Sequence, residues 1–276
     1  DPMAKLTKLC QQFIPEITVH IDPIEAMKRN KDNGLVSSER PKIVDLVEEL
    51  KADKLYKNQI VENGLFKFAS RQPVFKNLEF ELPLDIYEAL FNNKKVEKFY
   101  SHQAEALNAI NDLNHVIITT STSSGKSLIY QLPAMKFIYD YIIEKTGGVA
   151  TYDNQLNQID LQNVPTAMYI FPTKALAQDQ KRSLKELFSE IEVLQNIVVE
   201  TFDGDTSSET RNFIRDNSKV IFTNPDMLHA NILPNYQKWR NFLRNLKIIV
   251  IDELHIYRGL FGSHVALVIR RLRRIC

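Results

Sequence analysis

From residue 116 onward the chain alternates short apolar, β-branched runs with longer stretches of helical periodicity. Val116-Ile117-Ile118, Ala167 to Phe171, Ile197-Val198-Val199, Lys219 to Phe222 and Leu246 to Ile251 each predict a buried strand. Between them, a stretch starting near Leu128 and running to about Glu144, then Ala175 to Phe188 and Ser208 to Arg215, predict helices, while residues 227–245 read as mixed helix and loop. Strands that are apolar throughout, separated by helices, predict an α/β fold: a parallel sheet sandwiched by helices. Polar residues follow every predicted strand. In such sheets ligand sites lie at the carboxyl ends of the strands, so the chemistry is expected there.

Upstream of residue 116 the pattern is less regular. Leu6, Leu9, Phe13 and Ile14 have helical spacing, Ile17-Thr18-Val19 reads as a short strand, and Asp22-Pro23 opens a further helix. Pro41 to Lys51 is amphipathic, with Ile43, Leu46, Val47 and Leu50 on one face. Gly64 to Phe68 predicts a strand or hairpin, and Phe75, Leu78, Phe80 and Leu82 another extended piece. A short helix starts at Pro83 and runs through Leu90, with Lys94-Lys95 at its exposed end, and Ala104 to Ile110 forms the next helix. The stretch 145–165 is polar and rich in Gly, Asn and Gln, which predicts a mobile surface loop. The expected organisation is a mainly helical accessory segment over 1–55, a lead-in segment over 56–98 and the sheet domain over 99–276.

Charge narrows the function classes. Lysine and arginine number 35 against 34 acidic residues, so a net charge of +1 excludes a polybasic binder that grips nucleic acid over its whole surface. A local basic groove is still compatible, and Arg270, Arg271, Arg273 and Arg274 form the densest basic cluster. These four spread over more than one helix face, which suits a solvated or domain-facing surface as well as a DNA contact. No apolar run approaches the ~18 residues of a membrane span, so no membrane association is expected. Cys10 and Cys276 sit at opposite ends and outline neither a disulfide framework nor a zinc cluster, so a reducing intracellular compartment is expected. Asp1-Pro2 before Met3 reads as a cloning scar.

The candidate chemistry begins at Ser121-Thr122-Ser123-Ser124-Gly125-Lys126-Ser127, between a predicted strand and a predicted helix. That layout is a phosphate-binding loop, with Thr120 where the first glycine of G-x-x-x-x-G-K-[ST] usually stands. Small side chains let backbone N–H groups approach phosphate oxygens, and a helix N-terminus adds partial positive charge. Lys126 can reach the β- and γ-phosphates, and the Ser127 hydroxyl can ligate Mg²⁺. After the last predicted strand come Asp252-Glu253-Leu254-His255. Asp252 can hold the same metal, Glu253 can orient or deprotonate a water, and His255 can couple the site to a neighbouring domain. Gln103 opens a helix ahead of the loop. Its amide suits the N6 and N7 edge of adenine, and it equally suits a polar first-turn position.

Taken in order, Gln103, the loop STSSGKS, Phe171-Pro172-Thr173-Lys174-Ala175-Leu176-Ala177-Gln178-Asp179-Gln180, Thr223-Asn224-Pro225-Asp226-Met227-Leu228 and Asp252-Glu253-Leu254-His255 resemble the successive motifs of a superfamily 2 DNA helicase. The runs YSHQAEA, TSTSSGKSLIYQLP, FPTKALAQDQ and DELHIYRGLFGSHVALVIRRLRR, with YKNQIV, resemble the Hrq-type (YprA-like) branch of RecQ-related helicases, over roughly residues 56–276. The resemblance implies a first RecA-like domain of a 3′-to-5′ DNA-translocating ATPase in genome maintenance, including crosslink repair, in the nucleus if the source is eukaryotic. It implies ATP and Mg²⁺, with Gln103 and Thr122 to Ser127 at the nucleotide, Ser127 and Asp252 at the metal, and Lys126, Asp252, Glu253 and His255 as catalytic residues. Pro172, Thr173, Lys174, Thr223, Asn224 and Asp226 would line a single strand, free or as the tail of a duplex. The family's second RecA-like domain and cysteine-rich region are not in this sequence, which reads as an N-terminal part. The motifs do not choose between sugars, so an RNA helicase of the same superfamily is an alternative. A non-catalytic nucleotide-binding interaction module is another, against which stand the intact Lys126, Ser127, Asp252 and Glu253.

Without a second domain to stabilise charge on the γ-phosphate, residues 1–276 alone are expected to bind nucleotide weakly and turn it over poorly. A DNA-stimulated ATPase assay on this chain beside the full-length protein checks this, and comparable rates would refute it.

Overall fold

The computed structural model describes residues 42–60, 72–121, 124–147 and 163–276. The chain divides into two units, residues 1–70 and 71–276. In the first, the described residues hold one helix, α1 (Ile43–Ala52), where the spacing of Ile43, Leu46, Val47 and Leu50 predicts it. The readings for residues 3–40 and for Gly64 to Phe68 lie outside the described residues, as do Thr122, Ser123 and most of the 145–165 stretch.

The second unit is built on four parallel strands, β1 (Thr166–Ile170), β2 (Val199–Thr201), β3 (Val220–Thr223) and β4 (Leu246–Ile251), in the order β2-β3-β1-β4. The helices are α2 (Leu84–Lys94), α3 (Ser101–Asn111), α4 (Lys126–Thr146), α5 (Lys174–Ser189), α6 (Ser208–Asn217), α7 (Arg240–Arg244) and α8 (Gly259–Ile275). Side chains alternate across a strand, and β1 sorts its residues accordingly. Ala167 and Tyr169, with Phe171 just beyond the strand, join Ile86, Leu107, Leu132, Ile138, Leu184 and Leu187 in one apolar cluster. Met168 and Ile170 join Ile214, Leu228, Trp239, Phe242, Val268 and Leu272 in the other. Helices therefore cover both faces, and β1, buried along its whole length, lies between them.

One strand expectation needs correction. Val116 to Ile118 is not a strand; it carries no ladder, and Ile117 is 78% exposed. A strand needs ladder partners for its N–H and C=O groups, and residues 116–118 pair with no described strand. The outer edge of β4 is open among the described strands, and the triplet does not add to it. The sheet thus has four described strands rather than five, and β4, though apolar in sequence, is only partly buried. The strand expected to start at Ile197 and to end at Asp203 contains β2, whose ladder spans Val199–Thr201. Among the described residues no helix is long and apolar enough to cross a membrane.

α4 carries Pro133 in its interior. Proline lacks an N–H, so α4 runs through Pro133 without the backbone bond that this residue would otherwise donate. The fully buried Tyr169 hydroxyl donates to the nearby Tyr130 carbonyl at 2.8 Å, satisfying both groups and fixing α4 to β1.

Leu132 is fully buried in the α4 layer. Replacing it with alanine is expected to lower stability by about 2–5 kcal/mol, because the rigid neighbours do not collapse onto the space. Urea unfolding of the wild-type and Leu132→Ala chains measures this.

Candidate functional site

The phosphate loop is held from behind by α3 and from within by its own lysine. His102 Nε2 lies 2.9 Å from the Ser124 carbonyl, which can only accept, so that nitrogen carries the proton. Gln103 donates through Nε2 to the Gly125 carbonyl at 3.0 Å and accepts from Tyr100 N at 3.0 Å. Both functions of its amide therefore have partners, and the residue is 4% exposed. Lys126 Nζ donates to the carbonyls of Thr120 (3.0 Å) and Ser121 (2.7 Å). The Thr120 and Ser124 hydroxyls lie 2.7 Å apart, so threonine in place of the usual glycine adds a tie across the loop. With these carbonyls engaged, what the loop end has to offer a ligand is the N-terminus of α4, where no side chain caps the amides.

Gly125 is required for two reasons. Its φ of +76° lies in the left-handed region, and a Cβ there would stand 2.5 Å from Gln103 Nε2.

The acidic turn meets this loop. Tyr130, one helical turn after Ser127, places its hydroxyl 3.3 Å from Ser127 Oγ. Burial first, then the adjacent Asp252 and Glu253 carboxylates, hold the Tyr130 phenol far above its ordinary pKa, with a bond to Ser127 opposing. Ser127 thus touches a hydroxyl that lies in the field of the sequence-distant Asp252. Glu253 has φ +51°, a strained conformation for this residue and one common at functional sites. Its N–H donates to Asp252 Oδ1 at 2.8 Å. His255 Nδ1 lies 3.2 Å from Glu253 Oε2, an ion pair when the imidazole is protonated. Among the described residues no three His, Cys, Asp or Glu side chains cluster as a metal cage. A hydroxyl and one carboxylate are hard oxygen donors that suit Mg²⁺, which keeps water and substrate oxygens as its other ligands.

The remaining motif residues lie at neighbouring strand ends. Phe171 N donates to the Thr223 carbonyl at 2.9 Å and Asp252 N to the Ile170 carbonyl at 3.0 Å, so the turns after β3, β1 and β4 are stitched side by side. Thr173 caps α5 through Leu176 N at 3.4 Å, Asn224 caps the turn Pro225–Met227 through Met227 N at 2.8 Å, and Lys174 pairs with Asp205. Thr223 is buried and donates to the Phe202 carbonyl at 2.8 Å, which makes it a strand-end tie rather than an exposed donor. Thr173, Lys174 and Asp226 are exposed, and Pro172 is half-buried. Beside Gln103, Phe75 stacks on Tyr100 at 5.4 Å with both rings partly exposed. Sequence reasoning did not find Tyr130, Gln180 or His102. Tyr130 stands three residues after Ser127 on a helix, the spacing that puts two side chains on one face, and that was the available signal.

The DEAD/DEAH box helicase model matches residues 100–276. The chain is 48% identical to the ATP-dependent helicase HRQ1 of Saccharomyces cerevisiae, the alignment covering 100% of this chain and 24% of the relative. It is 42% identical to the ATP-dependent helicase YprA of Bacillus subtilis, covering 68% of this chain and 22% of that protein. The chain therefore spans about a quarter of these relatives' length. The solved structure of the DUF1998 helicase MrfA bound to DNA and AMPPNP superposes with a TM-score of 0.69 at 37% identity, covering 86% of this chain and 29% of that one.

Gly125→Ala is expected to displace Gln103 and strain the loop, lowering nucleotide affinity by about 5- to 150-fold, as ~1–3 kcal/mol of backbone strain implies. Titration with a fluorescent ATP analogue reads this out, and thermal unfolding separates it from loss of the fold.

Proposed function

The chain belongs to the DEAD/DEAH box helicase family, in company with HRQ1 and YprA, and from that premise we propose that it is the ATP-binding half of a 3′-to-5′ DNA helicase acting in DNA repair. The observation that carries the reading is that both motifs are anchored on β1: Tyr130, 3.3 Å from Ser127 Oγ, is tied to Tyr169, and Asp252 N donates to the adjacent Ile170 carbonyl. It brings the two motifs that a triphosphate requires to one place.

Each residue then has a role in phosphoryl transfer. The amides at the start of α4 bind phosphate oxygens, and the Lys126 ammonium exchanges its two loop carbonyls for the terminal phosphates. Mg²⁺ held by Ser127 and Asp252 would neutralise charge that develops on the phosphates. Glu253 orients the attacking water and takes its proton, with His255 fixing the carboxylate at 3.2 Å. The Phe75–Tyr100 stack offers a ring face for a base, and Gln103 retains a second N–H and a second lone pair for the base edge. A second RecA-like domain supplies the remaining cationic groups.

The turns beyond β1 and β3 would track the single strand. Lys174 would trade Asp205 for a phosphate, and Thr173, Pro172, Asn224 and Asp226 would shape the path without reading sequence. That MrfA was solved with DNA supports DNA as the polymer. Such work belongs in the nucleus of a eukaryotic cell.

In the full-length protein, Lys126→Ala is expected to reduce kcat for ATP by about 10²–10³-fold, the scale of losing one charge-stabilising donor. Stimulation by single-stranded DNA should exceed that by RNA, and duplexes with a 3′ tail should be unwound in preference to those with a 5′ tail. Equal stimulation by RNA would favour an RNA helicase, and undiminished cellular function of the Lys126→Ala protein would favour a non-catalytic module.

A further inference from the structure

Beneath the phosphate loop, side chains of α4 and α5 form a continuous set of hydrogen bonds. The Tyr130 hydroxyl lies 3.3 Å from Ser127 Oγ and 2.9 Å from Gln180 Oε1. Gln131, 2% exposed, places its amide nitrogen 3.1 Å from the same Gln180 oxygen and 3.2 Å from Ser183 Oγ. Lys94 Nζ at the end of α2 donates to Ser183 Oγ at 2.9 Å. Two consecutive residues of α4 therefore grip one face of α5, across 50 and 49 positions of sequence.

Donor counting gives this set a direction. An amide oxygen only accepts, so the single Tyr130 proton goes to Gln180, the shorter of its two contacts. The phenol oxygen is then an acceptor, and the Ser127 hydroxyl is the group beside it with a proton to give. A serine that donates to Tyr130 keeps its own lone pairs free for a cation. Gln180 lies six residues into α5 from Lys174. At 1.5 Å per residue that is a rigid span of about 9 Å to the helix end that faces the proposed single strand.

We propose that Tyr130 and Gln180 are positioning residues that orient the Ser127 hydroxyl toward Mg²⁺, and that Gln180 ties this orientation to α5, the helix opened by Thr173 and Lys174. The proposal rests on the reading of Ser127 as a magnesium ligand. Partners behind a ligand set its orientation, and losing them lowers metal affinity by about 10–100-fold.

The test uses full-length protein and fluorescence of a labelled ADP, with Mg²⁺ titrated from EDTA upward. Tyr130→Phe and Gln180→Leu are each expected to raise the half-saturating Mg²⁺ about 10–100-fold while metal-free nucleotide binding stays unchanged. Gln180→Glu keeps an acceptor for Tyr130 and is expected to stay at or below the wild-type midpoint. Gln180→Leu carries the same test from α5 should the Tyr130 variant not fold. Midpoints unmoved in both variants, with nucleotide still bound, would overturn the relay alone. A wild-type protein that binds no nucleotide would overturn the function proposed above.

Discussion

The pairing of β1 with a parallel neighbour on each side is what the rest of the structure depends on. Ile170 aligns with Thr223 of β3 and with Ile251 of β4, so three strands end level. Backbone bonds extend the register one step further, from Phe171 to Thr223 and from Asp252 to Ile170. A parallel sheet points all its carboxyl ends one way, and level ends bring the turns that follow into a single row. Pro172 to Lys174, Thr223 to Asp226 and Asp252 to His255 owe their closeness to this. A slip of one residue would turn every β1 side chain to the opposite apolar cluster and would separate those turns.

Buried register also explains which parts were legible beforehand. β4 matches the expected Leu246 to Ile251, and β1 and β3 match within a residue, because each apolar run ends in a polar turn that stops it. Thr173 and Asn224, read from the motifs only as lining a single strand, act as caps in the fold. Val116 to Ile118 has the same composition as the true strands and forms none. Composition reports that a segment suits a strand, whereas pairing depends on where the rest of the chain carries it, and the open outer edge of β4 is not taken up by this triplet. β2 occupies the middle of the stretch expected from Ile197 to Asp203, where Val199 and Thr201 find Val220 and Phe222 across the ladder.

The site was legible as motifs and illegible as a network. Lys126, Ser127, Asp252 and Glu253 are rare types at fixed places beside strands and helices. Tyr130, Gln131 and Gln180 are ordinary types inside helices, and no periodicity marks a polar residue that bonds across a helix pair. Gln103 shows the converse. Its residue type suggested a base reader or a first-turn position, and the structure gives its amide to the loop and the helix start. One side chain can serve both ends only if its second N–H and second lone pair remain reachable.

Buried amides and hydroxyls between α4 and α5 are costly unless each finds a partner, so their presence asks for a reason. An apolar seam would hold two helices equally well, as it does for Leu132 and Leu184 in the same layer. What an apolar seam cannot do is fix the rotation of a hydroxyl. Dispersion contacts tolerate sliding, while a chain of donors and acceptors has one satisfied arrangement. The seam from Ser127 through Tyr130 to Gln180 has that one satisfied arrangement, and it runs from the start of α4 to α5, the helix that Thr173 caps.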